Sequence, residues 1–308
     1  MQHIYQKTIN KQISFNGVGL HSGKNSKITI LPEKADYGII FKRIDLKENN
    51  FIKANYTNVS SAKLCTTLEN ANGVKVSTVE HLLAALYIAG IDNALIEIDN
   101  EEIPIMDGSA KDFLRLLKNT ETKTLSKKRK YLKILNKIEL SEGEKTISIE
   151  PNNSSFEVDF QLNYNNPIIG KQRNTVNFYT DDLSDVSNSR TFCLFEDIEK
   201  IKKIGLAKGG SLDNAVVVDN DKVLNDGGLR NEKEFVNHKI LDLAGDFLLS
   251  GFRIMGKVSC YQGGHELTNK FLRKLLKSNI SIKSVELEDF IKTNKTNSSQ
   301  SIKLAVNA

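Results

Sequence analysis

A histidine and an aspartate one helical turn apart can offer an imidazole nitrogen and a carboxylate oxygen to a single metal ion. Residues 234–250 read as a long helix carrying that pair as His238 and Asp242, with Asp246 one turn further on. At this spacing the three side chains form one stripe covering about 80° of the helix. Val236, Ile240, Leu243, Ala244 and Phe247 fall on roughly the opposite side and form its core face. A polar stripe is by default a solvated face. Two facts weigh against that default here: the helix is among the most apolar in the chain, and only 5 histidines exist to draw on.

His81 lies in the first turn of a second predicted helix. Ser77 and Glu80 have capping-box spacing at its start, and Gly90 suits its C-cap. The positive end of a helix dipole lowers the pKa of a nearby imidazole and favours the neutral form that metals bind. Position 85 is Ala, so the paired-histidine spacing of the zincins is absent. A metal at His81 therefore needs ligands from elsewhere, which the 234–250 helix can supply. Glu80 is accounted for by capping alone. His265 follows Gly263 and Gly264 on a turn, where a lone histidine is ordinarily solvent-exposed. The segment 17–24, which contains His21, resembles a phosphate loop but lacks the Walker spacing, so a hairpin loop is expected. Cysteine nucleophile chemistry is rejected, because none of Cys65, Cys193 and Cys260 stands beside a histidine.

The elements that must position these groups follow from periodicity. Strands are expected at 27–31 and 37–44, a helix from Ser77 to Gly90, a strand at 93–99, and a helix at 109–118 after the loop 104–108. Residues 118–130 have no apolar period and mark a boundary. Strands are then expected at 131–140, 145–150, 156–163 and 215–218. The 234–250 helix, a strand at 253–261 and a helix from the Gly263-Gly264-His265 turn to Lys277 complete the order. The two halves repeat one sequence of strands, helix, Gly, strand, turn and helix. The expected fold is α+β: two related domains, each with sheet and helix layers, packed with a cleft between them. The units run over 1–126 and 127–292, with an insertion near 193–229 and a polar tail at 293–308.

Composition excludes more than it selects. The chain has 308 residues, 39% hydrophobic and 26% charged, which suits a soluble globule and excludes collagen, coiled coil and general disorder. The longest apolar run, 82–91, is too short to cross a bilayer, and residues 1–13 do not read as a signal peptide. Three scattered cysteines make no disulfide framework, so a reducing cytoplasm is expected. A net charge of +5 with the basic run 127–129 could suit RNA, but no aromatic-plus-basic recognition motif accompanies it. Nucleic acid is not an expected partner.

Longer motifs add a resemblance. Ser77-Thr78-Val79-Glu80-His81-Leu82, Pro104-Ile105-Met106-Asp107-Gly108-Ser109, Ser189-Arg190-Thr191-Phe192 and Gly209-Gly210-Ser211 occur in that order. Glu234-Phe235-Val236-Asn237-His238-Lys239-Ile240-Leu241-Asp242, Gly245-Asp246 and Gly264-His265 continue it. Together they resemble the zinc-dependent UDP-3-O-acyl-N-acetylglucosamine deacetylases of lipid A synthesis, from about residue 9 to 276. The resemblance implies one Zn²⁺ per chain held by His81, His238 and Asp242, with a zinc-activated water as nucleophile. It implies Glu80 as general base and Thr191 on the oxyanion. His265, paired with Asp246, would assist the oxyanion or protonate the leaving nitrogen. It implies Lys239 and Lys145 as substrate contacts, and Phe192, Ile198 and Leu206 along an acyl channel. Ala207 and Lys208 stand where some relatives carry bulkier or apolar residues, which bears on channel width. Cys65 matches a cysteine near the zinc. A cytoplasmic monomer is implied, acting on a UDP-sugar with a fatty acyl chain and working near the inner membrane surface.

Overall fold

A computed structural model describes residues 4–152 and 154–286. The chain is α+β, with six helices among the described residues: α1 (Glu80–Ala89), α2 (Lys111–Thr120), α3 (Ser184–Asn188), α4 (Phe195–Lys203), α5 (Glu234–Leu248) and α6 (His265–Lys277). No helix among the described residues is long and apolar enough to cross a membrane. The expected polar tail lies outside the described residues.

The internal repeat is visible strand by strand. In the first half a sheet runs in the order Ile13–Val18, Asn25–Pro32, Ala94–Ile98, Ile39–Arg43, Phe51–Lys53. In the second half the matching order is Ile138–Glu142, Lys145–Pro151, Arg253–Tyr261, Phe156–Asn163, Lys171–Asn177. In both, a hairpin pairs antiparallel with the central strand, whose other neighbour is parallel to it and carries an antiparallel edge strand. The central strand follows the long helix in each half, α1 or α5. Lys130–Ile134 and Ile282–Glu286 extend the second sheet.

Three local expectations need correction. Residues 131–140 are two strands, since the chain breaks at 135–137 between Lys130–Ile134 and Ile138–Glu142. Thr122–Lys128 is a strand, pairing with Tyr5–Ile9 in a two-stranded ribbon. Its polar sequence hid it, because most of its residues stay exposed. The capping box is absent: α1 starts at Glu80 without a side-chain cap, and the Ser77 hydroxyl donates to the Glu101 carbonyl instead. Thr78, at a φ of 55°, turns the chain too sharply for Ser77 to reach the first turn. The other end of α1 is as expected, with Gly90 at a φ of 73°.

α1 and α5 are buried along nearly their whole length, and they pack on each other. They approach closely at Gly245, where a Cβ would clash with the Glu80 carbonyl oxygen. At the far end of α1, Arg253 donates to the carbonyls of Leu86, Tyr87 and Ile91, and Arg129 donates to that of Gly90. Both guanidinium groups also hold Asp92. These buried cations complement the negative end of the helix and tie its last turn to the second half. Gly245→Ala must push the helices apart, and we expect a loss of about 1–3 kcal/mol in urea unfolding. An unchanged stability would show that the contact does not set the helix spacing.

Candidate active site

α1 opens with Glu80 and His81, α5 carries His238, Asp242 and Asp246 on one side, and α6 begins with His265 behind Gly264. All six side chains are buried, and they meet where these three helices converge. His81, expected to need ligands from the second half, lies beside two groups of that half: Nε2 of His81 and Nε2 of His238 are 3.5 and 3.3 Å from Oδ1 of Asp242. The two imidazoles are perpendicular, with ring centroids 5.0 Å apart.

Hydrogen bonding fixes how these groups face one another. Nδ1 of His238 lies 3.0 Å from the Ser189 carbonyl, which can only accept, so the proton sits on Nδ1 and the Nε2 lone pair faces Asp242. Ser189 is held there because Arg190 forms a buried, two-pronged ion pair with Glu234 at the start of α5. Oδ2 of Asp242 accepts from Lys239 at 2.8 Å, whereas the buried Oδ1 has no hydrogen-bond partner. Burial, resisted by the Asp242 charge, pushes the His238 pKa down to about 3, so its proton cannot bridge the gap at neutral pH. Burial favours a neutral Asp242, but His238, Lys239 and His265 outweigh it and hold the carboxyl well below its usual range. An orphaned, charged carboxylate oxygen facing an imidazole lone pair calls for a cation. The donor atoms of His81, His238 and Asp242 all lie within 4.8 Å of one another, so the residues fit a divalent metal. Two nitrogens and one oxygen leave a fourth position open, as catalytic zinc sites do.

A second pair stands beside this group. His265 Nδ1 bonds Asp246 Oδ2 at 2.8 Å, and its Nε2 lies 3.7 Å from Glu80 and 3.8 Å from Asp242. Burial opposes charge on His265, but Asp246, Glu80 and Asp242 together raise its pKa to about 10. It is an imidazolium at neutral pH, placed to give a proton. Burial raises the Glu80 pKa, and the nearby His265 and His81 partly offset this. With the capping role gone, its Oε2 accepts from the Thr66 N–H at 3.0 Å. Asp246 Oδ1 accepts from the Thr66 hydroxyl at 2.7 Å.

The remaining expected residues are spread over two openings. Thr191, Phe192 and Ile198 line an apolar cavity of about 330 Å³, with Cys193, Leu212 and Val217. Leu206 is not part of its wall, and Lys145 lies apart from it, in a groove with Tyr164, Gln262 and Gly263. Phe192 joins the cavity to the buried cluster: its ring centroid is 6.3 Å from that of His238, and Lys239 Nζ sits 5.6 Å from it. Cys65 is buried, and burial with the nearby Glu80 charge pushes its thiol up to about 12.

Three contributors were not legible in the sequence. The 17–24 segment is the expected hairpin loop, yet it bends onto the insertion, where the His21 imidazole joins the cavity wall and its carbonyl accepts from Lys208. Glu102, buried, accepts from the backbone of His21 and Ser22 and from the Thr78 hydroxyl, so it anchors that loop to the start of α1. Thr66 is the third. No spacing marks Glu102 or Thr66, because their partners come from distant parts of the chain.

The family model for LpxC, UDP-3-O-acyl N-acetylglycosamine deacetylase, matches residues 6–277. The chain belongs to this family. Relatives named UDP-3-O-acyl-N-acetylglucosamine deacetylase include that of Geotalea uraniireducens, 43% identical over 88% of this chain and 88% of that protein. That of Shewanella frigidimarina is 44% identical over 89% of this chain and 90% of that protein, and that of Actinobacillus pleuropneumoniae 38% identical over 93% and 94%. Membership in this deacetylase family makes the protein an enzyme of the amide-hydrolysing class.

If the three donors form one metal centre, His238→Ala should bind less than about a tenth of the metal held by the wild type, read by elemental analysis after dialysis. Undiminished metal in that variant would remove His238 from the ligand set.

Proposed function

We propose that this deacetylase hydrolyses the acetamide of a UDP-3-O-acyl-N-acetylglucosamine, releasing acetate and the free amine, in lipid A synthesis. The observation that carries the proposal is the unpartnered Asp242 Oδ1 between two imidazoles, beside a charged His265 whose Nε2 lies 3.8 Å from the other oxygen of that carboxylate and 3.7 Å from Glu80. His81, His238 and Asp242 would hold Zn²⁺. When bound there, zinc supplies a Lewis acid that lowers the pKa of water towards about 7 and polarises a carbonyl.

The chain's own groups do the rest. Glu80 takes a proton from the attacking water as the new C–O bond forms. Its buried, partly neutralised setting keeps it a stronger base than an exposed carboxylate would be. The Thr191 hydroxyl donates to the oxyanion that develops on the carbonyl. As the C–N bond breaks, His265 gives its proton to the departing nitrogen, and Asp246 steadies the imidazole throughout. Lys239, already beside Asp242, contacts the substrate, and Lys145 lies near the nucleotide. The fatty acyl chain enters the apolar cavity past Phe192 and Ile198.

In this reading the unit 1–126 brings Glu80 and His81, and the unit 127–292 brings the remaining groups. The insertion near 193–229 shapes the acyl channel, with Leu206 flanking it. The enzyme works as a cytoplasmic monomer close to the inner membrane surface, with no nucleic-acid partner.

The direct test is acetate release from the UDP-acyl substrate with and without a chelator. Activity that survives complete metal removal would refute the metal assignment. Glu80→Gln should lower kcat by at least about 100-fold while metal content stays near one per chain. A wild-type rate would refute the base assignment. Catalysis that needs a charged His265 falls as pH rises through its pKa. Asp246→Asn removes a charge that raises that pKa, so the alkaline limb of kcat/KM should move down by about one pH unit or more. An unmoved limb would take the Asp246–His265 pair out of the proton transfer.

A further inference from the structure

Thr66 is buried, just before the strand Thr67–Glu69, and it belongs to none of the three helices that carry the cluster. It nevertheless touches both of the carboxylates assigned to proton handling. Its N–H donates to Glu80 Oε2 at 3.0 Å, and its hydroxyl donates to Asp246 Oδ1 at 2.7 Å. Its carbonyl accepts from the N–H of Val79, the residue at the N-cap of α1. One residue of the first half thus fixes the entry of α1, the Glu80 carboxylate, and a carboxylate 180 positions away in the second half.

We infer that Thr66 is a positioning residue for deacetylation, acting through Asp246 on His265. A carboxylate has two oxygens that can rotate about one bond, and Asp246 has a side-chain partner on each: the Thr66 hydroxyl on Oδ1 and His265 Nδ1 on Oδ2. The hydroxyl determines which way the carboxylate faces, and the carboxylate determines where the imidazole Nε2 points. This resembles the support that outer hydrogen bonds give to a working imidazole in other sites. Valine at position 66 keeps the shape and the backbone hydrogen bonds, and removes only the hydroxyl. Asp246 is then left with an unpaired buried oxygen and an undetermined orientation.

The inference rests on the roles proposed above for His265 and Asp246, and the test separates the two. If the wild-type enzyme releases no acetate from the UDP-acyl substrate, the functional reading fails. With an active wild type, Thr66→Val should lower kcat by about 10- to 100-fold and leave KM and metal content within about twofold. Thr66→Ser, which keeps the hydroxyl, should recover kcat to within about threefold. In an Asp246→Ala background, Thr66→Val should have less than about a twofold further effect, because the group it acts through is gone. The His265 Nδ1 proton resonance should shift in Thr66→Val and return in Thr66→Ser.

Three results would overturn the inference. One is an unchanged kcat in Thr66→Val. Another is a serine variant as slow as the valine variant, which would assign the effect to methyl packing. The third is a full, multiplicative loss in the Asp246→Ala background.

Discussion

The approach of α1 to α5 is the constraint on which the rest of the molecule depends. At Gly245 the helices are so close that a single Cβ would strike the Glu80 carbonyl. The contact falls at the first residue of α1, so it also sets the depth of Glu80 and His81 relative to His238, Asp242 and Asp246. At the other end, Arg253 and Arg129 grip the last carbonyls of α1 from the second half. Both ends of the helix are therefore tied to the partner half. The donors from the two halves meet because the helix between them cannot slide.

Burial makes that meeting expensive unless the charges are matched. Glu80, Asp242 and Asp246 sit in the same buried volume as Lys239 and a protonated His265, so three carboxylates face two cations. Nearly every oxygen has a donor: Thr66 for Glu80 and Asp246, His265 for Asp246, Lys239 for Asp242. Among the described carboxylate oxygens shut off from solvent, Asp242 Oδ1, which faces both imidazole nitrogens, is the one without a hydrogen-bond partner. A shortfall of positive charge is thus concentrated at one atom rather than spread over the cluster, which is the arrangement a bound dication would complete.

What could be read from the sequence follows from how local each feature is. His238, Asp242 and Asp246 share one helix, so their common face was legible from spacing alone. The succession of strands, helix, glycine and strand along each half also followed from apolar periodicity and glycine positions, whereas the order of strands within the sheets and the strands Ile13–Val18, Phe51–Lys53 and Lys171–Asn177 did not. The joining of His81 to that helix was a matter of tertiary geometry: the missing second histidine at position 85 only suggested it, and the longer motif resemblance named the set. Ser77 and Glu80 show how local rules mislead. Their spacing satisfies a capping box, yet Thr78 turns away and Glu80 faces inward to Thr66. Thr122–Lys128 was hidden for the opposite reason, because a strand exposed on both of its faces needs no apolar alternation. Gly245, Glu102 and Thr66 have no local signature at all. Their roles exist only where distant segments come together.

The same geometry explains why one aromatic residue can link two chemically different regions. Phe192 packs against Phe235 and the His238 imidazole on one side and contributes to the apolar cavity on the other. Lys239, which lies near this ring, also holds Asp242 Oδ2 and so leaves Oδ1 turned towards the imidazoles. A ligand that fills the cavity therefore meets the ring that packs on the His238 imidazole. The backbone leading into Phe192 cannot yield easily, because Ser189 is bonded to His238, Arg190 to Glu234, and Thr191 to Gly108 and Val216. The wall of the apolar cavity and the alignment of polar groups in the cluster thus share a single side chain, held on a tied backbone.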